Sequence, residues 1–97
     1  MESAWDQLLE LIDHLAADPT TPVDHDTEQT FARLGAEAIR DRHIDTELRA
    51  DDIARWLCGL VAGYRTVRAT HPEVDPDTDL ADLRRIITRW LHPARPR

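Results

Sequence analysis

The stretch that decides the fold runs from Asp51 to Thr70 and reads DDIARWLCGLVAGYRTVRAT. Its apolar residues recur at intervals of three and four, which is typical of an amphipathic α-helix. Two acids at its start favour a helix N-terminus through capping and the helix dipole, and His71-Pro72 ends it. The broad apolar side of this predicted helix consists of Ile53, Leu57, Leu60, Val61, Tyr64 and Val67, with Trp56 beside it.

The next helix along the chain is predicted over residues 76–91. Asp75-Pro76 supplies an N-cap followed by proline at the first helical position. Acids near the first turn and arginines further on match the helix dipole. The sequence His92-Pro93 ends the helix and leaves residues 93–97 as a tail. Its apolar stripe consists of Leu80, Leu83, Ile87 and Trp90, with Ile86 and Leu91 alongside.

Two more helices precede these. Ser3 and an acid three residues later form a near capping box, which predicts a helix over residues 3–17. Prolines then make a loop, and Asp24 or Asp26 can cap a helix over residues 26–42. No run alternates apolar and polar β-branched residues, so no strand is expected. The sequence therefore predicts an all-α fold, with residues 1–97 forming one small bundle of about four helices.

Charge and composition limit the classes of function. The 97 residues include 19 acids and 12 bases, for a net charge of −7. This balance argues against a general affinity for nucleic acid or for anionic membranes. The first half carries most of the acidity, whereas the second half is nearly neutral. Because no signal peptide or apolar segment of membrane length is recognised, we expect a cytoplasmic protein.

The residue types that usually perform catalysis do not form a recognisable group. The five histidines lie one per segment, with none at the i, i+4 spacing that places two metal ligands on one helix face. Ser3 is the only serine, and no glycine-rich loop is present to hold a phosphate. Cys58 lies in an apolar run and is interpreted as a small core or interface residue. We therefore expect no enzymatic activity, no metal and no cofactor. The histidines are His14, His25, His43, His71 and His92.

Gly59 and Gly63 lie four residues apart on the predicted helix that opens at Asp51, so they share one of its faces. Small residues at this spacing let the backbone of another helix approach closely. Two alternatives follow: close packing against the last helix within one chain, or contact between subunits. The wide apolar faces of the last two helices favour association, and two copies about a two-fold axis would form a four-helix interface.

Four stretches resemble a known family. Residues 52–64 and 71–91 resemble the last two helices of TetR-family regulators, in which an apolar helix with a central glycine precedes a loop with proline and aspartate and a final helix rich in leucine and arginine. Residues 9–19 and 34–41 are similar to earlier helices of the same effector domain. No stretch corresponds to the family's DNA-binding helix-turn-helix, and the connection between residues 42 and 51 is shorter than the family pattern.

The resemblance implies a ligand-binding and dimerisation domain that performs no chemistry. Such a domain would bind an apolar small molecule or a partner chain in transcriptional regulation, as a homodimer or as a heterodimer with a related regulator, without contacting nucleic acid or membrane. The residues that would line a ligand pocket are Trp5, Leu9, Ile12, Phe31, Leu34 and Trp56. The residues that would form the dimer interface are Leu57, Gly59, Leu60, Gly63, Tyr64, Leu83, Ile87 and Trp90.

Two alternatives stay open. Residues 30–38 resemble the stretch before the prosthetic-group serine of acyl carrier proteins, but Glu37 or Ala38 occupies the serine position, so the arm could not attach. The other alternative is a small helical enzyme or metal protein that uses the scattered histidines.

Overall fold

The computed structural model describes residues 2–44 and 47–92. Within these ranges the chain forms four α-helices and no strand: α1 (Ala4–Ala17), α2 (His25–Arg40), α3 (Ala50–Thr70) and α4 (Pro76–Leu91). The predicted all-α class is therefore confirmed, and each helix begins and ends within two residues of its predicted bound. The predicted tail, residues 93–97, lies outside the described residues.

Side-chain caps begin the first two helices. The Oγ of Ser3 accepts a hydrogen bond from the Asp6 backbone N–H at 3.1 Å. Asp24, one of the two candidates, caps α2, because its Oδ1 accepts from the Thr27 N–H at 3.1 Å. Each bond satisfies a helix-end donor that would otherwise lack an intrahelical partner.

The last two helices begin without such caps. Arg49 occupies the N-cap position of α3 and makes no side-chain cap bond. Asp51 and Asp52 lie within the first turn, where they favour the helix through its dipole and not as caps. Asp75 holds the predicted N-cap position of α4, but its side chain does not bond to the helix backbone. It accepts a hydrogen bond from the Thr78 hydroxyl instead, at 3.3 Å.

The end of α2 is a Schellman motif. The His43 N–H donates to the carbonyl of Ala38 at 2.9 Å, and the Arg42 N–H donates to that of Ile39 at 3.0 Å. Arg42 has a φ of 63°, in the left-handed region. This turn ends α2 two residues before the predicted bound at residue 42.

Helix α3 is the centre of the bundle. It contacts each of the other helices and packs most extensively against α2. The core between them is continuous and apolar, and no described polar or charged residue is fully buried. The largest wholly buried side chains are Phe31, Leu8, Ile12, Leu15, Ile53, Leu57, Ile87, Leu91 and Val61.

Helices α3 and α4 form an antiparallel pair at one side of the bundle. Near the turn that joins them, Arg68 pairs with Asp79. At the far end, Trp56 and Trp90 line the same cleft. The side of this pair that faces away from the core is open, because Trp56 and Ile86 are exposed there.

None of the described helices combines the length and the apolarity needed to cross a membrane.

Candidate functional site

The open side of the α3 and α4 pair carries an apolar groove built from two adjoining clefts. The first, of about 300 Å³, is lined by Leu48, Trp56, Leu60, Ile86 and Trp90. The second, of about 360 Å³, is lined by Gly59, Leu60, Gly63, Tyr64, Val67, Asp79, Asp82, Leu83 and Ile86. Leu60 and Ile86 belong to both clefts, so the two form one continuous surface, which we call the α3–α4 groove.

Large apolar side chains at the edges of this groove are unusually exposed. Trp56 is 58% exposed, Ile86 55% and Val67 45%. Single exposed apolar residues are common on protein surfaces, but a contiguous apolar patch marks a site of association. These three residues lie along one groove, so they form such a patch.

The two glycines of α3 lie in the same groove and are open to solvent. Apart from the flanking residues and the backbone of α3 itself, no described atom would lie within 4 Å of a Cβ built on Gly59 or on Gly63. The first alternative, that these glycines let α4 pack closely within one chain, is therefore wrong. Ala62 and Thr66, also exposed, extend the glycines into a strip of small side chains along α3.

The predicted dimer residues divide into two sets. Six of the eight line the groove: Gly59, Leu60, Gly63, Tyr64, Leu83 and Trp90. The other two, Leu57 and Ile87, are 0% exposed. They join α3 and α4 to the core and have no surface to offer a second copy, so their predicted interface role does not fit the fold. The apolar side of α3 is wide enough to face the core and the groove with different residues.

The six predicted ligand residues do not surround a common cleft. Ile12, Phe31 and Leu34 are buried in the core. Trp5 and Leu9 are half-buried on α1. Only Trp56 lines one of the four described clefts, and that cleft belongs to the α3–α4 groove. None of the four described clefts is therefore lined by the six predicted ligand residues together.

Cys58 packs against the core and is half-buried. Burial raises the pKa of its thiol, and the carboxylates of Glu28 and Asp24 raise it further. The thiol is therefore the stable form near neutral pH. This environment is that of a packing residue and not of a nucleophile, which needs the thiolate.

The acids, histidines and cysteine of the described ranges do not assemble a metal site, since no group of three or more of them is placed to hold an ion. Two histidines do lie together: the Nδ1 of His92 bonds to the backbone carbonyl of His43. The ring of His92 also lies 5.5 Å from that of Trp5, which brings the start of α1 to the end of α4.

Sequence reasoning missed Arg65, whose bonds tie α3 to the loop after α1. Its Nη2 donates to the backbone carbonyls of Leu15 at 3.0 Å, Asp18 at 3.1 Å and Thr21 at 2.7 Å. These partners lie more than forty residues away along the chain. Since an arginine among apolar residues of a helix gives no local sign of such bonds, no signal in the sequence pointed to them.

Comparisons with known proteins add no relative to this description. The chain matches no protein-family model, no curated protein and no solved structure. The likeness to TetR-family effector domains therefore rests on the sequence pattern, and the α3–α4 groove is the structural feature from which a function can be argued.

Proposed function

We propose that the chain is a non-catalytic association module, TetR-like in its helix order, whose α3–α4 groove binds the same groove of a second copy. The observation that carries this proposal is the open strip at Gly59 and Gly63, flanked by the exposed side chains of Trp56 and Ile86. The same face therefore carries large exposed side chains and an open strip of small residues into which such side chains can pack.

This combination suits a two-fold axis, because such an axis brings the same patch of each copy together and demands self-complementarity. If α3 crosses its copy in antiparallel fashion at the midpoint between Gly59 and Gly63, each of these glycines faces the other glycine of the partner. The same symmetry sets Trp56 opposite Thr66 of the second copy, so that the largest side chain meets a small one.

A dimer of standard size would take a modest share of the chain's surface. A standard interface buries about 800 Å² on each partner. The single chain exposes 6479 Å², so this amounts to about one eighth of its surface. Fully burying a large aliphatic or aromatic side chain contributes about 1.5–3 kcal/mol, and Trp56, Ile86 and Val67 all have surface left to bury.

The groove also carries little charge that burial would penalise. Asp79 is already paired with Arg68, at 2.6 Å. Asp82 is exposed and has no partner among the described residues, but it lies at the groove's edge, where water can still reach it. A largely neutral apolar face loses little solvation energy on association.

The regulatory role rests on the TetR resemblance. A domain of this kind would act in transcriptional regulation, in the cytoplasm, by pairing with itself. A heterodimer with a related regulator, or an apolar small molecule in the groove, would be an alternative occupant of the same surface.

Sedimentation equilibrium tests the proposal with Gly63→Leu. We expect the unchanged chain to have the mass of two chains at about 50 µM, well above a micromolar dissociation constant. Leucine at residue 63 should fill the strip and shift the equilibrium to monomer. Because Leu is a better helix former than Gly by up to about 1 kcal/mol, loss of the dimer could not be attributed to loss of the helix.

Ala36→Leu is the matched control, because Ala36 is exposed on α2 and outside the groove. It should leave the dimer intact. A monomer at about 50 µM for the unchanged chain would overturn the homodimer. A dimer that survives Gly63→Leu would place the interface elsewhere. If the unchanged chain is monomeric and adding an apolar compound protects Trp56 from fluorescence quenching, the groove binds small molecules instead.

A further inference from the structure

A second cleft, which shares only Tyr64 with the α3–α4 groove, opens where the end of α1, the middle of α3 and the start of α4 meet. Its volume is about 350 Å³, within the lower range of small-molecule sites. One wall is apolar and consists of Ala16, Ala17, Pro19 and Leu80. The other wall carries Tyr64, Arg65 and Arg68.

The charge of Arg65 is not neutralised by any described carboxylate. Its guanidinium bonds only to backbone carbonyls, and it forms no ion pair among the described residues. Its Nε is buried and has no hydrogen-bond partner. Arg68 differs, because Asp79 already balances its charge. The wall therefore carries one uncompensated positive charge in a partly desolvated place, where an anion is attracted more strongly than at an exposed site.

Tyr64 adds a neutral donor beside that charge. Its side chain is only 9% exposed, and its hydroxyl has no hydrogen-bond partner among the described residues. Burial raises the pKa of this phenol, so the hydroxyl keeps its proton at neutral pH and can donate. Asp77 is the one carboxylate of the cleft, and it lies exposed at the rim, where solvent screens it.

From these features we infer that the cleft binds a small monocarboxylate with an apolar body. The carboxylate accepts from the Tyr64 hydroxyl and lies near the Arg65 guanidinium, while the body covers Ala17 and Leu80. A cation would be repelled by Arg65, and a neutral molecule would gain nothing from its charge. This inference does not depend on the α3–α4 groove or on the dimer.

The test is an amide NMR titration of the full chain with hexanoate, hexanamide and hexylamine, which share one apolar body and differ in charge. Hexanoate should shift the amide signals of Ala16, Tyr64 and Leu80, with a dissociation constant of about 1 mM or below. The amide and the amine should bind at least about ten-fold more weakly. Equal binding of the three compounds, or no shift at these residues with hexanoate, would overturn the inference.

Two variants locate the site. Ala17→Trp fills the cleft from an exposed position at the end of α1, and it should weaken hexanoate binding at least about ten-fold. Ala36→Trp, on the exposed side of α2, should bind hexanoate as the unchanged chain does. Tyr64→Phe removes only the hydroxyl and should weaken binding by about three- to ten-fold. Circular dichroism verifies that each variant is folded, and full binding by folded Ala17→Trp would contradict the assignment.

Discussion

The Nη1 of Arg68 on α3 lies 2.6 Å from the Oδ2 of Asp79 on α4, and the two side chains are only 21% and 14% exposed. The same Nη1 donates to the backbone carbonyl of Val74 at 2.8 Å. One arginine therefore joins the end of α3, the turn that follows it and the start of α4. This joint fixes the angle at which the last two helices meet, and with it the shape of the α3–α4 groove.

Asp79→Asn should destabilise the fold by about 1–3 kcal/mol, because it leaves the partly buried Arg68 guanidinium without its counter-charge. Urea denaturation followed by circular dichroism measures the change in the free energy of unfolding. Asp82→Asn, one turn further along α4 at an exposed position, should change it by less than about 0.5 kcal/mol. Equal effects of the two substitutions would show that the Arg68 pair adds nothing.

Arg65→Met should detach the α1–α2 loop, residues 18–24, from α3. Methionine keeps the apolar stem but loses the guanidinium that donates to the carbonyls of Leu15, Asp18 and Thr21. We expect a loss of about 2 kcal/mol, since hydrogen bonds from charged donors each contribute about 1.5–3 kcal/mol and one nitrogen shares its two hydrogens among three acceptors. Hydrogen exchange at residues 18–23 should accelerate more than exchange in α2.

Arg55→Met is the control for that substitution. Arg55 is on the same helix, and its side chain is 67% exposed and paired only with Asp52, at 3.3 Å. An exposed pair of this kind contributes less than about 1 kcal/mol. If Arg55→Met accelerates exchange in the α1–α2 loop as much as Arg65→Met does, the loop is not held by Arg65.

The contrast between these two arginines shows where sequence reasoning succeeds. The four helices could be predicted because their signals are local: Ser3 and Asp24 as caps, Pro76 at a first turn, and apolar residues at intervals of three and four. The bonds of Arg65 could not, because they depend on which helix packs over which loop. The periodicity also showed that α3 is apolar on a broad side, but it could not separate Leu57, which faces the core, from Leu60, which faces the groove.

Gly59 and Gly63 also show what the sequence alone could not predict. Their spacing predicted a close approach by another helix, yet it could not tell whether that helix belongs to the same chain. The answer required the position of α4, which leaves open space above both Gly59 and Gly63. A candidate surface can therefore be recognised in the sequence, whereas its occupancy depends on tertiary packing.

Arg42→Gly should stabilise the fold by about 0.5–1 kcal/mol. Arg42 is the left-handed residue of the Schellman motif that ends α2, with a φ of 63°. This position favours glycine because a Cβ there lies close to the following carbonyl oxygen. The gain is partly offset by the greater freedom of glycine in the unfolded chain. Thermal denaturation measures it, and Ala36→Gly, at an exposed position in the interior of α2, should instead cost about 1 kcal/mol.

Acid should weaken the fold partly through Asp18, at the end of α1. Its carboxylate accepts hydrogen bonds from the Thr20 hydroxyl, the Thr21 hydroxyl and the Thr20 backbone N–H. These bonds favour the charged form and lower the pKa of Asp18 from 3.8 to about 2. Because the pKa is lower in the folded state, the stabilising contribution is fully present above about pH 4 and is lost as the pH falls towards about 2.

Asp18→Asn should remove this dependence. The asparagine side chain can still accept from Thr20 but does not titrate, so the variant should be less stable than the unchanged chain at pH 6 and should lose less stability between about pH 4 and pH 2. Urea denaturation at a series of pH values gives both slopes. Asp82→Asn is the control that removes one carboxylate of the same type, because Asp82 is exposed and accepts no hydrogen bond among the described residues. If the slopes of Asp18→Asn and Asp82→Asn coincide, the threonine bonds do not favour the charged form of Asp18.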